Sequence, residues 1–256
     1  MKRIITIIAL ALLLGSGVAQ ARDFFTSGWL HDAKYVSRLG YSIGGTTPMG
    51  MPATIRQLND FNLTPNLQFG LDVFKPVTGT PWGVQVGIHF ENKGMSEDAT
   101  VKNYHMEITR GGETLEGMFT GREVTKVMQW MFTVPLQATY TINRVRIKLG
   151  PYVSYLTGRG FDGYAYNGYL RVGDPTGAKV ELGETQDERG DYDFATHMRK
   201  WQTGFDLGAD WRLTERFGVY ADLSWGITSI FKSNFHTVEQ TLYPVYGTVG
   251  VVYRVR

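Results

Sequence analysis

Apolar and polar residues alternate with a period of two along much of this chain. In residues 82–91, every even position is apolar or aromatic, whereas the odd positions hold glycine, glutamine, histidine and glutamate. Successive side chains of a β-strand point to opposite sides, so this pattern predicts strands with one apolar and one polar face. About eight stretches follow it: residues 38–46, 67–74, 82–91, 129–142, 145–156, 201–213, 217–227 and 246–255.

The connections between these stretches alternate in length. Those over residues 75–81, 143–144 and 214–216 are short, and those over residues 47–62, 92–122, 158–200 and 231–243 are long. Short turns at one membrane surface and long loops at the other are typical of outer-membrane barrels. We therefore predict one all-β domain, an eight-stranded antiparallel transmembrane barrel with short periplasmic turns and long extracellular loops.

Two prolines fall within neighbouring stretches. Pro135 and Pro151 are roughly equidistant from the turn at residues 143–144. Proline cannot donate a ladder hydrogen bond and is confined to strand edges and bulges, so we predict a bulge or local bend there.

The volume of the interior decides which face points inwards. The apolar face carries large rings such as Trp130, Trp201, Trp211 and Trp225, whereas the other face is rich in glycine and polar residues. The interior of an eight-stranded barrel is only just filled by side chains, so these rings would overfill it. We expect them to face lipid; a secreted soluble barrel with the same period is the alternative.

The first residues form a segment of their own. Lys2 and Arg3 precede an apolar run, and Ala19-Gln20-Ala21 ends it, which predicts a signal peptide over residues 1–21 and a barrel domain over residues 22–256. Without Lys2 and Arg3 the 26 basic residues fall to 24, equal to the 24 acidic ones, so charge gives no reason to expect nucleic-acid binding. Cysteine is absent, so strand pairing and packing must stabilise the exported chain.

The last strand and several internal motifs resemble a known family. Thr248-x-Gly250-x-x-Tyr253-x-Val255 is similar to the C-terminal signal of bacterial outer-membrane barrels, which implies recognition by the barrel assembly machinery. The segments Val134-Pro-Leu-Gln-Ala-Thr-Tyr140, Leu149-Gly-Pro-Tyr-Val-Ser-Tyr155 and Gly204-Phe-Asp-Leu-Gly-Ala-Asp210 resemble strands of the PorT-like outer-membrane barrels of Bacteroidota. This resemblance covers most of the predicted mature chain. The subfamily that gives the group its name serves secretion and gliding machinery.

Charged residues of both signs fall on the predicted inward face. Because an unpaired buried charge is costly, we expect them to pair and plug the lumen. A proton or ion path, or a small polar ligand site, is the alternative. The predicted lumen network comprises Asp72, His89, Glu91, Arg146, Lys148, Asp206, Asp210, Arg212, Asp222 and Arg254.

Candidate chemistry outside this network is sparse. His89 and Glu91 invite comparison with lipid-modifying barrel enzymes, but no motif marks Ser154 or Ser224 as an activated nucleophile. The acidic residues near Asp187 lack the spacing of an EF-hand, so we expect a solvated loop and neither a metal nor another cofactor. Aromatic residues in the same predicted loop, namely Tyr164, Tyr166 and Tyr169, suit contact with a protein or a glycan.

We therefore expect a non-enzymatic structural or interaction protein of the outer membrane. Its expected partners are outer-membrane lipid, the barrel assembly machinery and a protein of the envelope or of a secretion machinery. A narrow pore or ligand-binding barrel is the first alternative, and a lipid-modifying enzyme is the second.

Overall fold

A computed structural model describes residues 32–48, 50, 52–62, 64–235, 237–238 and 241–255. The predicted signal peptide lies outside these residues. A short 3-10 helix spans Ala195–His197, and no helix in the described ranges is long and apolar enough to cross a membrane. The strands are β1 (Lys34–Pro48), β2 (Ile55–Asn62), β3 (Asn66–Pro76), β4 (Trp82–Arg110), β5 (Glu113–Ile142), β6 (Val145–Val172), β7 (Lys179–Leu182), β8 (Gly190–Asp193), β9 (Trp201–Arg212), β10 (Phe217–Gly226) and β11 (Leu242–Arg254).

Eight of these strands close into an antiparallel ring, which confirms the predicted fold class. The order around the ring is β1, β3, β4, β5, β6, β9, β10 and β11. The first and last strands pair along most of their length, with Leu39 opposite Val251 and Ser42 opposite Thr248. Each of the eight ring strands therefore has two neighbours, so the ring presents no strand edge whose unpaired backbone groups would face lipid.

The bulky rings point away from the lumen. On β9, Trp201 is 61% exposed and Trp211 is 54% exposed. Residues between them that have the opposite parity, such as Gln202, Asp206 and Asp210, are buried and face inwards. Aromatic pairs lie near both ends of the outward surface: Trp82 with Tyr140 beside the short turns, and Phe90 with Trp130 towards the other end. These positions match the two aromatic girdles of a membrane barrel.

Three strands are far longer than a membrane requires, and the long-loop prediction is wrong for residues 92–122 and much of 158–200. Strands β4, β5 and β6 contain 29, 30 and 28 residues. About 9–11 residues cross a bilayer, so roughly two thirds of each strand lies beyond it. Gly111 and Gly112 connect β4 to β5 with positive φ angles of 59° and 84°, which are the angles a two-residue hairpin turn needs.

The part beyond the bilayer is a folded body, here called the extension. It comprises residues 95–130 of the β4–β5 hairpin, residues 157–198 and β2. Strand β2 pairs with β4, and β8 pairs with both β6 and β4, so the long sheet curls over itself. The extension encloses its own core, which includes Met106, Ile108, Phe119, Phe161 and Leu170.

Of the predicted bulge or local bend at the two prolines, the bulge is absent. Pro135 pairs with Tyr152 and Ala138 pairs with Leu149, so the register of β5 on β6 is the same on both sides of Pro151. Backbone pairing is interrupted between these pairs because proline has no N–H to donate, but neither strand contains an extra residue. The register of this pair shifts instead at residues 120–122 and 130–131.

Candidate functional site

An arginine lies at the centre of the lumen. Arg38 on β1 is 3% exposed and contacts carboxylates from three other strands. Its Nε atom donates a hydrogen bond to Asp72 on β3. Its Nη2 atom lies 3.0 Å from both carboxylate oxygens of Asp210 on β9, and its Nη1 atom lies 3.3 Å from Asp222 on β10. One guanidinium therefore joins four strands across the bore.

A lysine from the opposite wall completes this cluster. The Nζ atom of Lys148 on β6 lies 2.9 Å from Asp210 and 2.8 Å from Asp222, and Arg146 lies 3.8 Å from Asp210. Three cations thus face three carboxylates, counting Arg38 and Asp72. Pairing of this kind is required because a buried charge without a partner would cost several kcal/mol. We refer to these six side chains as the central cluster.

A second polar layer lies between the central cluster and the extension. The Nε2 atom of His89 lies 2.8 Å from Asp72, which links the two layers. Glu91 accepts hydrogen bonds from Thr133 at 2.6 Å and Gln68 at 3.0 Å, and it lies 3.0 Å from the ammonium group of Lys93. These side chains therefore fill the bore with paired polar groups.

Sequence reasoning missed two cations of these layers. Arg38 begins the first predicted stretch, and Lys93 falls in a predicted loop. Arg38 shares strand parity with Gly40 and Ser42, and Lys93 shares it with His89 and Glu91, so extending each alternation by one step finds both.

Two predicted network residues stand apart from the two layers. Arg212 is exposed and Arg254 is partly exposed, and both lie at the short-turn rim rather than in the bore. Asp206 faces the lumen within reach of the charges of Lys93 and Glu91, but its Oδ1 atom has no hydrogen-bond partner among the described residues. The other predicted residues, namely Asp72, His89, Glu91, Arg146, Lys148, Asp210 and Asp222, come together in the bore.

The three predicted loop tyrosines lie on β6 instead. They pair with β5, with Tyr164 opposite Val124, Tyr166 opposite Arg122 and Tyr169 opposite Thr120. The loop assignment is wrong because β5 continues beyond the membrane and supplies these partners.

Basic side chains pack against these rings on the outward face of the extension. Arg189 lies 4.2 Å from the ring centre of Tyr164, and Lys179 lies 4.5 Å from that of Tyr169. The Tyr166 hydroxyl donates to Asp98 at 2.7 Å. The three tyrosines are therefore held in place yet remain partly exposed.

Residues 18–232 match the family described as the outer membrane protein beta-barrel domain. This match covers most of the chain. The chain belongs to this family. Membership and the closed barrel together place the protein in the outer membrane.

Solved structures of outer-membrane barrels are similar to this chain at low sequence identity. Ail of Yersinia pestis is 12% identical, with 87% of this chain and 97% of that chain covered and a TM-score of 0.34. A major outer membrane protein of Thermus thermophilus is 15% identical, with 88% and 100% covered and a TM-score of 0.38. OprG of Pseudomonas aeruginosa is 12% identical, with 88% and 96% covered and a TM-score of 0.34. Among proteins of curated function, no match was found.

In this outer-membrane barrel, Ser154 and Ser224 form hydrogen bonds with groups other than His89. Ser154 shares a 2.7 Å hydrogen bond with Thr133, and Ser224 bonds Asp206. His89 is hydrogen-bonded to Asp72 and Gln68. A nucleophilic serine would need a base within hydrogen-bond reach, and His89 bonds neither of these two hydroxyls.

Two acidic side chains of the segment near Asp187 interact with neighbouring groups of the protein. Asp191 lies 2.7 Å from Arg189, and Asp193 accepts a hydrogen bond from the Ala195 backbone at 2.8 Å. Across the described ranges, no group of three or more His, Cys, Asp or Glu side chains is arranged to hold a metal ion.

Proposed function

We propose that this outer-membrane barrel is closed to ions and displays the extension to a protein partner of the envelope. The observation that carries the proposal is the central cluster, in which Arg38 and Lys148 reach from opposite walls to the same two carboxylates, Asp210 and Asp222. Charged side chains that cross the bore and pair with each other support a barrier to ions at that level. The membrane part is then an anchor, and the extension is the functional part.

Conductance in planar bilayers tests the closed bore. We expect the purified protein to give no channel events. Arg38→Ala with Lys148→Ala removes both bridging cations, and its comparison with the parent protein shows whether these residues are the barrier. Regular unitary conductance of the parent protein would refute the anchor role and support the narrow pore.

The tyrosine face of the extension is the proposed contact surface. Aromatic and arginine side chains are enriched at protein interfaces, and the rings of Tyr164, Tyr166 and Tyr169 lie beside Arg189, Arg122 and Lys179. Removal of residues 163–193 would destroy part of the core, including Leu170 and Leu182. Single photo-crosslinking residues are therefore the sharper test.

We expect crosslinkers at positions 164 and 169 to capture the same envelope protein in living cells. A crosslinker at Leu136, which is exposed on the membrane-level surface of β5, is the matched control and should not capture it. Capture of no protein from either tyrosine position, or equal capture from position 136, would contradict the proposal.

The resemblance to PorT-like barrels supports a partner in secretion or envelope assembly, and we propose that class of role. We propose no catalytic role, because the hydroxyls of Ser154 and Ser224 are bonded away from His89. Mass spectrometry of lipid A tests this part directly. His89→Ala should leave the lipid profile unchanged, and loss of a modified species would support the enzyme alternative.

A further inference from the structure

A cavity of roughly 340 Å³ lies above the polar lumen, between the extension and the ends of β1 and β11. Strands β1, β2, β4, β5 and β11 contribute to its wall, together with Phe161, Tyr192 and Phe194. Most lining side chains are apolar, and they include Leu58, Phe61, Met95 and Met106. Pockets of about 300–1,000 Å³ with mostly apolar walls and a few polar groups are typical of small-molecule sites.

Two carboxyl groups face this cavity. Glu97 on β4 lies opposite Thr125, and Glu123 on β5 lies opposite Ala99, so the two glutamates are diagonal neighbours on one face of the sheet. Diagonal neighbours in an antiparallel pair are about 7–8 Å apart, close enough for both side chains to reach one ligand group. Glu123 is only 6% exposed.

Neither glutamate has a counter-ion among the described residues. The nearby Asp98 shows the contrast, because it points to the outer face and lies 2.7 Å from Arg122. The Tyr192 hydroxyl, which also lines the cavity, is already paired and shares a 2.8 Å hydrogen bond with Thr125. A nearly buried carboxyl in an apolar wall without a cation is a costly arrangement unless a ligand or a proton satisfies it.

Burial raises the pKa of both carboxyl groups towards neutral pH. Desolvation raises the pKa of Glu97 to about 7. Desolvation, with the negative charges of Glu97 and Asp98, raises the pKa of Glu123 to about 8. Both residues lie several positions beyond the aromatic girdle at Phe90, outside the bilayer. The cavity therefore gains up to two negative charges as pH rises through this range.

We propose that this cavity binds a small apolar molecule carrying one protonated amine. The apolar wall buries the body of the ligand, and the ammonium group lies between Glu97 and Glu123. A single cation there supplies the counter-ion that both carboxylates lack. The site is separate from the outward tyrosine face, so this inference goes beyond the proposed contact with a protein partner.

Calorimetric titration of the full protein in lipid nanodiscs tests the proposal, with empty nanodiscs as the reference. Phenethylamine is the cationic probe, and 2-phenylethanol is the neutral probe of the same shape. Only the ionised carboxylates attract the ammonium, so affinity for the amine should rise at least about tenfold between pH 5.5 and pH 8.5. Affinity for the alcohol should not rise.

Two sets of variants locate the effect. Glu97→Gln with Glu123→Gln should remove both the preference for the amine and its pH dependence, while the barrel keeps its heat-dependent gel shift. Asp98→Asn is the matched control because that carboxylate is paired with Arg122 on the other face. It should keep the preference for the amine, with the rise in affinity moved to slightly lower pH because one negative charge near Glu123 is lost. No binding of the amine, equal binding of amine and alcohol at pH 8.5, or the same loss in Asp98→Asn would overturn the proposal. These outcomes are independent of conductance and of crosslinking through the tyrosine face.

Discussion

The membrane-level barrel and the extension share strands β4, β5 and β6, and the polarity of the two faces of these strands is reversed between them. On β4 the inward positions hold Gln85 and His89 at membrane level, and the same face holds Met95 and Val101 farther along. On the outward side the order is reversed, from exposed apolar residues to polar ones. As far as Val101, the inward positions of β4 keep the same parity, and the type of residue at these positions changes from polar to apolar.

The solvent outside the sheet decides which face of these strands is apolar. Lipid surrounds the barrel, so its outer face is apolar and its narrow bore holds hydrogen-bonded polar groups. Water surrounds the extension, so its inner face is an ordinary hydrophobic core. Stability in the barrel thus depends on close pairing of charges, and stability in the extension depends on packing. The predictions below separate these two sources.

The largest effect is expected in the bore. Arg38→Ala leaves Asp72, Asp210 and Asp222 with one fewer cation, and breaking a buried ion pair costs about 3–5 kcal/mol. We expect a loss of that order in the free energy of unfolding, measured by urea titration in lipid vesicles. Arg212→Ala, at the exposed rim, is the control and should change stability by less than about 0.5 kcal/mol. Equal stability of the two variants would contradict the role of the central cluster.

A comparable loss confined to the extension is expected from its core. Phe119 is fully buried, and Phe→Ala in a core costs about 3–5 kcal/mol. Phe119→Ala should expose the extension to limited proteolysis while the folded barrel remains protected. If the barrel unfolds together with the extension, the two regions are not separate in stability.

A smaller effect is expected at the lipid surface. Leu136 is 54% exposed at membrane level on β5. Leu136→Arg should destabilise the protein in vesicles by about 2–4 kcal/mol, because arginine is costly near the bilayer midplane. Thr114→Arg places the same residue at an exposed position of β5 in the extension and should change stability by about 0.5 kcal/mol or less. A similar cost at both sites would show that lipid does not distinguish the regions.

A pH dependence of the extension is also expected. Burial raises the pKa of Glu97 to about 7 and that of Glu123 to about 8, from an ordinary value of 4.5 for each. The folded state therefore holds protons that the unfolded state releases. The resulting stability is fully present below about pH 4.5 and is lost as pH rises through 7 and 8.

Hydrogen exchange measures this dependence. After correction for intrinsic rates, protection of amides near Glu97 and Glu123 should fall between pH 5 and pH 9. Glu97→Gln with Glu123→Gln should flatten the profile. An unchanged slope in that variant would assign the effect to other groups.

The barrel was predictable from sequence because each membrane-level strand keeps one strictly apolar face. The extension was not, because its inward face mixes apolar residues with Glu97 and Glu123, and bulges at residues 101–104 and 120–122 interrupt the alternation. One local signal was available. Gly111-Gly112, flanked by residues able to pair, is a strong hairpin turn, and it predicts continued strands over residues 92–122.

The candidate site also contains residues that could be predicted from the sequence and residues that could not. Asp72, Asp210 and Lys148 lie within strictly alternating stretches, so their positions in the alternation predicted that their side chains face the lumen. Arg38 is the first residue of a predicted stretch and Lys93 lies two residues beyond the end of another, where boundaries are least certain, and both were missed. The cavity around Glu97 and Glu123 could not be predicted, because it depends on how β2 and β8 fold against the long hairpin, and no periodicity encodes that contact.

The most direct test of the central claim is a depth profile of spin labels along the outward face of β5. Labels at Val134 and Leu136 should be accessible to oxygen and shielded from a water-soluble nickel complex. Labels at Lys126 and Glu116 should show the reverse. A change from oxygen to nickel accessibility between positions 134 and 126 is the result we predict. Uniform oxygen accessibility from position 136 to position 116 would contradict a water-exposed extension on a lipid-embedded barrel.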